Sequence, residues 1–215
     1  MFNSLYKTLL DIIFPQNNLE RKISNISEEK LSKKLHLSEY NDIVSLFQYK
    51  DPLIKQMVWL LKYKKDLHVA RLFASALHDF LVEELSDEIM FSGDTSGNKK
   101  IVLIPIPLSK QRERERGYNQ IKLITNEMQK ISEFSVYTDL LIKEKDTVPQ
   151  TSLSKRKDRA KNIKGVFAVQ DKGNLKNIHA ILIDDVFTTG STLSEARKML
   201  ERAGIYKVSL ITLTH

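Results

Sequence analysis

Hydrophobic residues recur three and four positions apart in several stretches of the chain. Leu53, Met57, Leu60 and Leu61 follow Pro52 at that spacing, with Lys55, Lys62 and Lys64 outside the stripe. Leu72, Phe73, Ala76, Leu77, Phe80 and Leu81 form a second stripe, and Ile121, Ile124, Met128 and Ile131 a third. These periods predict amphipathic helices that turn one face to a core. Nearly unbroken apolar runs instead predict buried strands at Ile101–Ile106, which leads into a turn at Pro105–Pro107, at His179–Ile183 and at Lys207–Leu213. Leu140–Ile142 and Val166–Val169 are shorter candidates, the second followed by a turn around Lys172–Asn174. A helix is expected from about Ser191 to Ala203, carried by Leu193, Ala196, Leu200 and Ala203 and stopped by Gly204. Strands and helices alternating in this way predict an α/β fold, a parallel sheet flanked by helices on both faces.

The beginning of the chain is patterned differently. Leu5–Phe14 is apolar but short and interrupted by Lys7 and Asp11, with Pro15 and Gln16 where a small-residue cleavage site would stand. A helix packed on the domain is expected there, not a signal peptide. Gln16–Glu39 is rich in Asn, Ser, Glu and Lys, and its thin apolar pattern predicts weakly packed structure. The expected division is a small N-terminal helical appendage over residues 1–45 and a main domain over 46–215. Ser92–Lys100 reads as a loop, and Glu144–Lys164 is long, polar and basic enough to suggest a mobile lid. No apolar run approaches the ~18 residues needed to span a bilayer, so no membrane insertion and a cytoplasmic location are expected.

Composition then narrows the chemistry. Of 215 residues, 41% are hydrophobic and 28% charged, the balance of a globular domain. The absence of cysteine excludes disulfides, cysteine-ligated zinc and a cysteine nucleophile. Five histidines are scattered without metal-ligand spacing, so His68, His78 and His179 are read as surface or core-edge residues. The net charge of +7 is local: six basic residues against two acidic lie between Lys99 and Arg116, and eight against three between Lys143 and Lys164. Those two segments hold +9, leaving −2 elsewhere. They are either solvated faces or the flanks of an anion site.

The stretch from Ile181 to Thr192 carries the chemistry. Apolar residues run directly into Asp184 and Asp185, which puts both carboxylates at the carboxyl end of a buried strand, where open α/β sheets bind ligands. Val186 and Phe187 lead to Thr188, Thr189, Gly190, Ser191 and Thr192, a turn into a helix. Free N–H groups and a positive dipole end suit a phosphate there, and Gly190 lets the backbone approach it. Two carboxylates beside a phosphate cradle suit a phosphorylated sugar. The bland alternative is a strand terminator followed by an ordinary helix cap. No Gly-x-x-x-x-Gly-Lys-Ser/Thr sequence is present, so this is not a P-loop.

This stretch resembles the phosphoribosyl-diphosphate (PRPP) loop of type I phosphoribosyltransferases. Pro105-Ile-Pro-Leu-Ser109, Arg112, Arg116-Gly-Tyr-Asn-Gln120, Pro149-Gln150, Leu153-Ser154, Arg159, Asn162 and Gly165-Val-Phe167 further resemble the ComF branch, competence-associated proteins similar to amidophosphoribosyltransferases. The resemblance runs from about Tyr49 to the C-terminus. It implies a type I phosphoribosyltransferase-like sheet, PRPP bound with Mg²⁺ at residues 184–192, and Asp184 and Asp185 as catalytic residues that also hold the Mg²⁺. It further implies a diphosphate-facing loop with Ser109, Lys110, Arg112 and Arg116, and a flexible hood over Thr147–Gly165 with Arg159 and Asn162. Most ComF proteins carry an N-terminal zinc finger after a Phe-Pro like Phe14-Pro15; here Gln16-Asn-Asn-Leu-Glu20 follows, and no zinc is expected. Purine-directed relatives often have a carboxylate where Thr188 stands, which argues against a purine acceptor.

Two functions follow from the resemblance. One is phosphoribosyl transfer from PRPP to an acceptor, linked to DNA uptake in natural transformation. The other is a non-catalytic module that handles single-stranded DNA, or a nucleotide-sensing regulator, with PRPP as ligand. Tyr118 beside Arg116 would serve as a stacking position in the second, or simply pack beneath the diphosphate loop. The oligomeric state stays open, a homodimer included.

Overall fold

A computed structural model describes residues 18–91, 100–144, 165–170 and 173–215. Two short helices, α1 (Asn18–Ser24) and α2 (Glu28–Ser32), lead into a hairpin of β1 (Ser38–Tyr40) and β2 (Ile43–Phe47). Asn41 and Asp42 both have positive φ, as a two-residue hairpin turn with right-handed strand twist requires. Helices α3 (Pro52–Tyr63) and α4 (Leu67–Glu84) follow, each started by an aspartate. Asp51 accepts from the N–H groups of Leu53 and Ile54, and Asp66 from those of His68 and Val69. After α5 (Ser86–Phe91) come β3 (Lys100–Pro105), α6 (Lys110–Arg116), α7 (Gln120–Met128), β4 (Ser135–Val136), β5 (Leu141–Lys143), β6 (Phe167–Val169), β7 (Ile178–Val186), α8 (Ser191–Arg202) and β8 (Lys207–Thr214).

The main sheet has the order β1-β2-β8-β7-β3-β4. Every neighbouring pair is parallel except β1 with β2. Alternate residues of the central strands face two apolar layers. Ile181, Ile183, Leu103, Ile211 and Leu213 pack with α1, α2, α3, α4 and α7, where Phe47 meets Phe73 edge to face. Ala180, Leu182, Val102, Ile104 and Leu210 pack with α8 and with the separate antiparallel pair β5–β6. The chain leaves β3 for the face that α7 covers and leaves β7 for the face that α8 covers. A crevice therefore opens between the carboxyl ends of these two adjacent strands.

The α/β expectation holds, with several differences in detail. Residues 18–32 are held to the first layer by Ile23 and Leu31, with most of the other residues exposed, in keeping with the thin apolar pattern. The boundary expected at residue 45 falls inside β2, whose parallel pairing with β8 makes it part of the main sheet. Val166–Val169 and Leu140–Ile142 do become strands at their centres, but they pair with each other rather than extending the parallel sheet. The segment from Ser109 to Arg116 is a capped helix instead of a loop: the Ser109 hydroxyl accepts the Arg112 N–H, and Gly117, with φ of 74°, ends it. His179 is fully buried rather than at an edge, since Glu88 and Ser209 satisfy its two ring nitrogens. The expected helix at Leu5–Phe14, the zinc-finger position at Gln16, and the hood residues Arg159 and Asn162 lie outside the described residues. Among the described residues no helix is long and apolar enough to cross a membrane.

Candidate functional site

Strand β7 continues through Val186, held to β8 by the Val186–Thr214 pairing, so Asp184 and Asp185 are the last turn of the pleat before the chain leaves the sheet. Consecutive strand residues point to opposite faces. Asp185 faces the layer of α3 and α7, where its Oδ2 accepts from Lys62 Nζ at 2.7 Å and Gln120 Nε2 at 2.8 Å. Asp184 Oδ1 accepts the N–H of Asp185 at 2.8 Å. Burial, and then the charge of Asp185, push the Asp184 carboxyl up to about 7, against the opposing pull of that backbone bond, Lys62 and Arg112. Burial also pushes Asp185 upward, but the Lys62 ammonium, its hydrogen bond, and the bond from Gln120 outweigh it and hold the carboxyl below its ordinary range. Two carboxylates of one strand end thus have opposite electrostatic fates.

Beyond the strand, Phe187 N–H donates to the Thr214 carbonyl, and the chain turns through Thr188–Gly190 into α8. Gly190 has φ of 71°, a left-handed conformation that side chains rarely adopt, and a Cβ on it would lie 2.7 Å from Ile43 Cδ1, so a side chain here strains the backbone and displaces the Ile43 tip. It starts α8 without a side-chain cap. The Thr189 and Ser191 hydroxyls bond each other at 2.8 Å.

These residues wall a cleft of about 400 Å³. Asp184, Asp185, Val186, Phe187, Thr188, Gly190 and Thr192 line it together with Ser109, Arg112, Arg116, Gln120, Lys62, Tyr63 and Lys143. Of the residues expected from sequence, Lys110 is exposed and does not line the cleft, and the side chains of Thr189 and Ser191 are not among those lining it. Among the described residues no group of three or more His, Asp or Glu side chains is arranged to hold a metal ion.

The chain is 34% identical over 109 residues to competence protein F of Haemophilus influenzae, covering 50% of this chain and 47% of that one. It is 30% identical over 170 residues to competence protein ComFC of Bacillus subtilis, covering 79% and 62%. The chain is a homologue of the ComF competence proteins. It spans about half to three fifths of the length of those two ComF proteins. DNA utilization protein YhgH of Salmonella typhimurium is 27% identical over 168 residues, with 78% of this chain and 69% of that one covered. No family model matches. Among solved structures, adenine phosphoribosyltransferase of Trypanosoma brucei aligns at a TM-score of 0.40 and 14% identity, over 84% of this chain and 87% of that one.

The ComF-like signature Arg116-Gly-Tyr-Asn-Gln120 acts in the structure as a clamp. Tyr118 Oη donates to the Leu61 carbonyl and accepts from the Lys65 N–H, which fixes the C-terminal turn of α3. Both bonds favour the packing role for Tyr118 over a stacking role. Asn119 caps α7 and donates from its amide to the Ile106 carbonyl at the end of β3. Gln120 reaches Asp185, and Arg116 Nη1 donates to Gln120 Oε1 at 3.0 Å while its guanidinium lies over the Tyr63 ring. Gln120 stood in the ComF-like signature without a role of its own, and Lys62 only as a residue outside the apolar stripe of its helix. One signal was present: Ile54 and Val58, both buried, lie two turns and one turn before Lys62 on the same helix face.

Proposed function

We propose that the cleft binds PRPP together with Mg²⁺ and that the protein transfers its phosphoribosyl group to a nucleophile in the handling of DNA. One observation carries the proposal: a single cleft brings together the Asp184–Asp185 pair, the Gly190 turn at the start of α8, Arg112 and Arg116. The backbone of Thr188–Thr192 would take the 5′-phosphate, as an uncapped helix start favours. Asp184, whose proton is poorly held off at neutral pH, would accept the ribose hydroxyls, while Arg112 and Arg116 face the diphosphate. The carboxylate pair carries more negative charge than Lys62 neutralises, which fits a divalent cation arriving with the diphosphate. Bound Mg²⁺ would supply positive charge to the leaving-group oxygens. In the reaction the C1′–O bond to diphosphate breaks, the nucleophile bonds to C1′, and the nucleophile loses its proton. Catalysis would rest on positioning and charge stabilisation. The link to DNA comes from the relatives, two called competence proteins and one a DNA utilization protein.

Calorimetry with PRPP and Mg²⁺ tests this. One site per chain is expected, weakened about tenfold or more by Asp184→Asn. Absence of binding by the wild-type protein refutes it. A second function, holding single-stranded DNA at the cleft mouth, is favoured by two exposed rings of α3. Trp59 and Tyr63 lie 5.6 Å apart, Lys64 lies over the first and Arg116 over the second. Trp59 is the single tryptophan, so its fluorescence reports on that surface directly. Quenching by a short oligonucleotide that falls steeply with salt supports this function, and no quenching removes it.

A further inference from the structure

The Lys62–Asp185 contact is unlike an ordinary surface ion pair. Its side chains are 19% and 13% exposed, and the two oppositely charged atoms are 2.7 Å apart. Lys62 belongs to the last turn of α3, and Tyr118 fixes that turn by bonding both Leu61 and Lys65. The ammonium is therefore held in place from outside the cleft. Gln120 shares the same oxygen of Asp185 and is itself oriented by Arg116. Oδ2 of Asp185 is thus committed to protein donors, while both carboxylates line the cleft.

We propose that Lys62 is the resident counter-ion of the carboxylate pair. It makes the free cleft refuse a bare divalent cation and admit one only together with an anionic ligand. The reason is electrostatic: two adjacent carboxylates alone attract a dication, whereas a fixed ammonium at hydrogen-bond distance cancels one of them and repels the metal. A ligand diphosphate would bring its own negative charge and restore the attraction. Lys62 is thus a positioning residue that makes metal entry conditional on substrate. The role in admitting substrate rests on the proposed PRPP function; the exclusion of bare metal does not.

The test is titration of MnCl₂ alone into wild-type, Lys62→Arg and Lys62→Gln proteins, followed by calorimetry and Mn²⁺ paramagnetic resonance. Wild type and Lys62→Arg should take up little metal. Lys62→Gln, which keeps a donor but loses the charge, should bind Mn²⁺ about tenfold more tightly or better. Adding Asp184→Asn to Lys62→Gln should abolish the gain. If Lys62→Gln melts earlier than wild type, MnCl₂ should raise its melting temperature and leave that of wild type unchanged. A Lys62→Gln protein that ignores Mn²⁺ in both measurements overturns the proposal, as does a gain that survives Asp184→Asn. Wild-type protein that ignores PRPP with Mg²⁺, beside a Lys62→Gln protein that gains Mn²⁺, would remove the PRPP function and leave the metal exclusion standing.

Discussion

Strand β7 carries a buried polar cluster at each end, and the two are built on different terms. Near its start His179 is enclosed completely, with Nδ1 2.6 Å from Glu88 and Nε2 2.9 Å from Ser209. Glu88 also takes an ion pair from Lys207, and although burial pushes its carboxyl up, those partners hold it below its ordinary range. Roughly 20 Å further along the same strand, Asp185 is similarly tied by Lys62 and Gln120, but Asp184 beside it is forced up to about 7. The starting cluster matches every charge with a partner and locks α5 onto the sheet. The cleft cluster satisfies one carboxylate and leaves its neighbour in the field of the first. Buried polar groups that are fully matched stabilise and specify a fold, whereas a group left mismatched in a cleft is poised for a ligand.

Removing partners from each cluster should break the symmetry between them. Lys62→Ala leaves Asp185 buried without its cation, and a loss of roughly 3 kcal/mol is expected from urea unfolding. His179→Ala should cost roughly 2 kcal/mol by leaving Glu88 and Ser209 short of a buried partner. PRPP affinity should be unaffected in this variant, since the lesion is at the far end of the strand. Equal loss of affinity in both variants would show that the two ends are one network. Gly190→Ala should cost ~1–2 kcal/mol from the left-handed backbone, with further loss from contact with Ile43. Both a lowered melting temperature and weaker PRPP binding should follow.

The last change should be opposite in sign. Asp184 has a raised pKa in the folded protein, so between pH ~4 and ~7 the unfolded chain releases a proton that the folded chain keeps. The contribution of this group to stability therefore falls as pH rises through that window. Asp184→Asn should remove the slope, raising the urea midpoint at pH 8 and leaving it nearly unchanged at pH 4. At the other end, Glu88 contributes in the reverse sense: its stability is present above its unfolded value and is lost as pH falls through its lowered one. Glu88→Gln should accordingly flatten the acid limb alone.

Some of this was legible from neighbouring residues. Asp184 to Thr192 could be read directly because strand end, tight turn and helix start are consecutive, and the Gly190 conformation and the carboxylate placement are local properties. The stripes at residues 53–61 and 72–81 became α3 and α4 for the same reason. Misjudged segments were those whose state depends on a distant partner. The division expected at residue 45, after the polar stretch Gln16–Glu39, falls within Ile43–Phe47, which is a strand because β8 pairs with it. Ser109–Arg116 is a different case: the loop there was implied by the resemblance, and local features, the Ser109 cap and the i, i+4 pair Gln111–Glu115, make it a helix.

The sequence by itself determined the α/β alternation, the strand that ends in two aspartates, the glycine turn that follows, and the likeness to ComF proteins. Each is written in spacing or in adjacent residues, and neighbours on the chain need no fold to meet. Only the tertiary structure decided which carboxylate is neutralised. Gln120 lies 65 positions from Asp185 and His179 lies 91 from Glu88, so neither pairing has a local signature. Lys62 looks like any solvated lysine until α3 packs against β7. A charge takes its meaning from its surroundings, and packing brings those surroundings together.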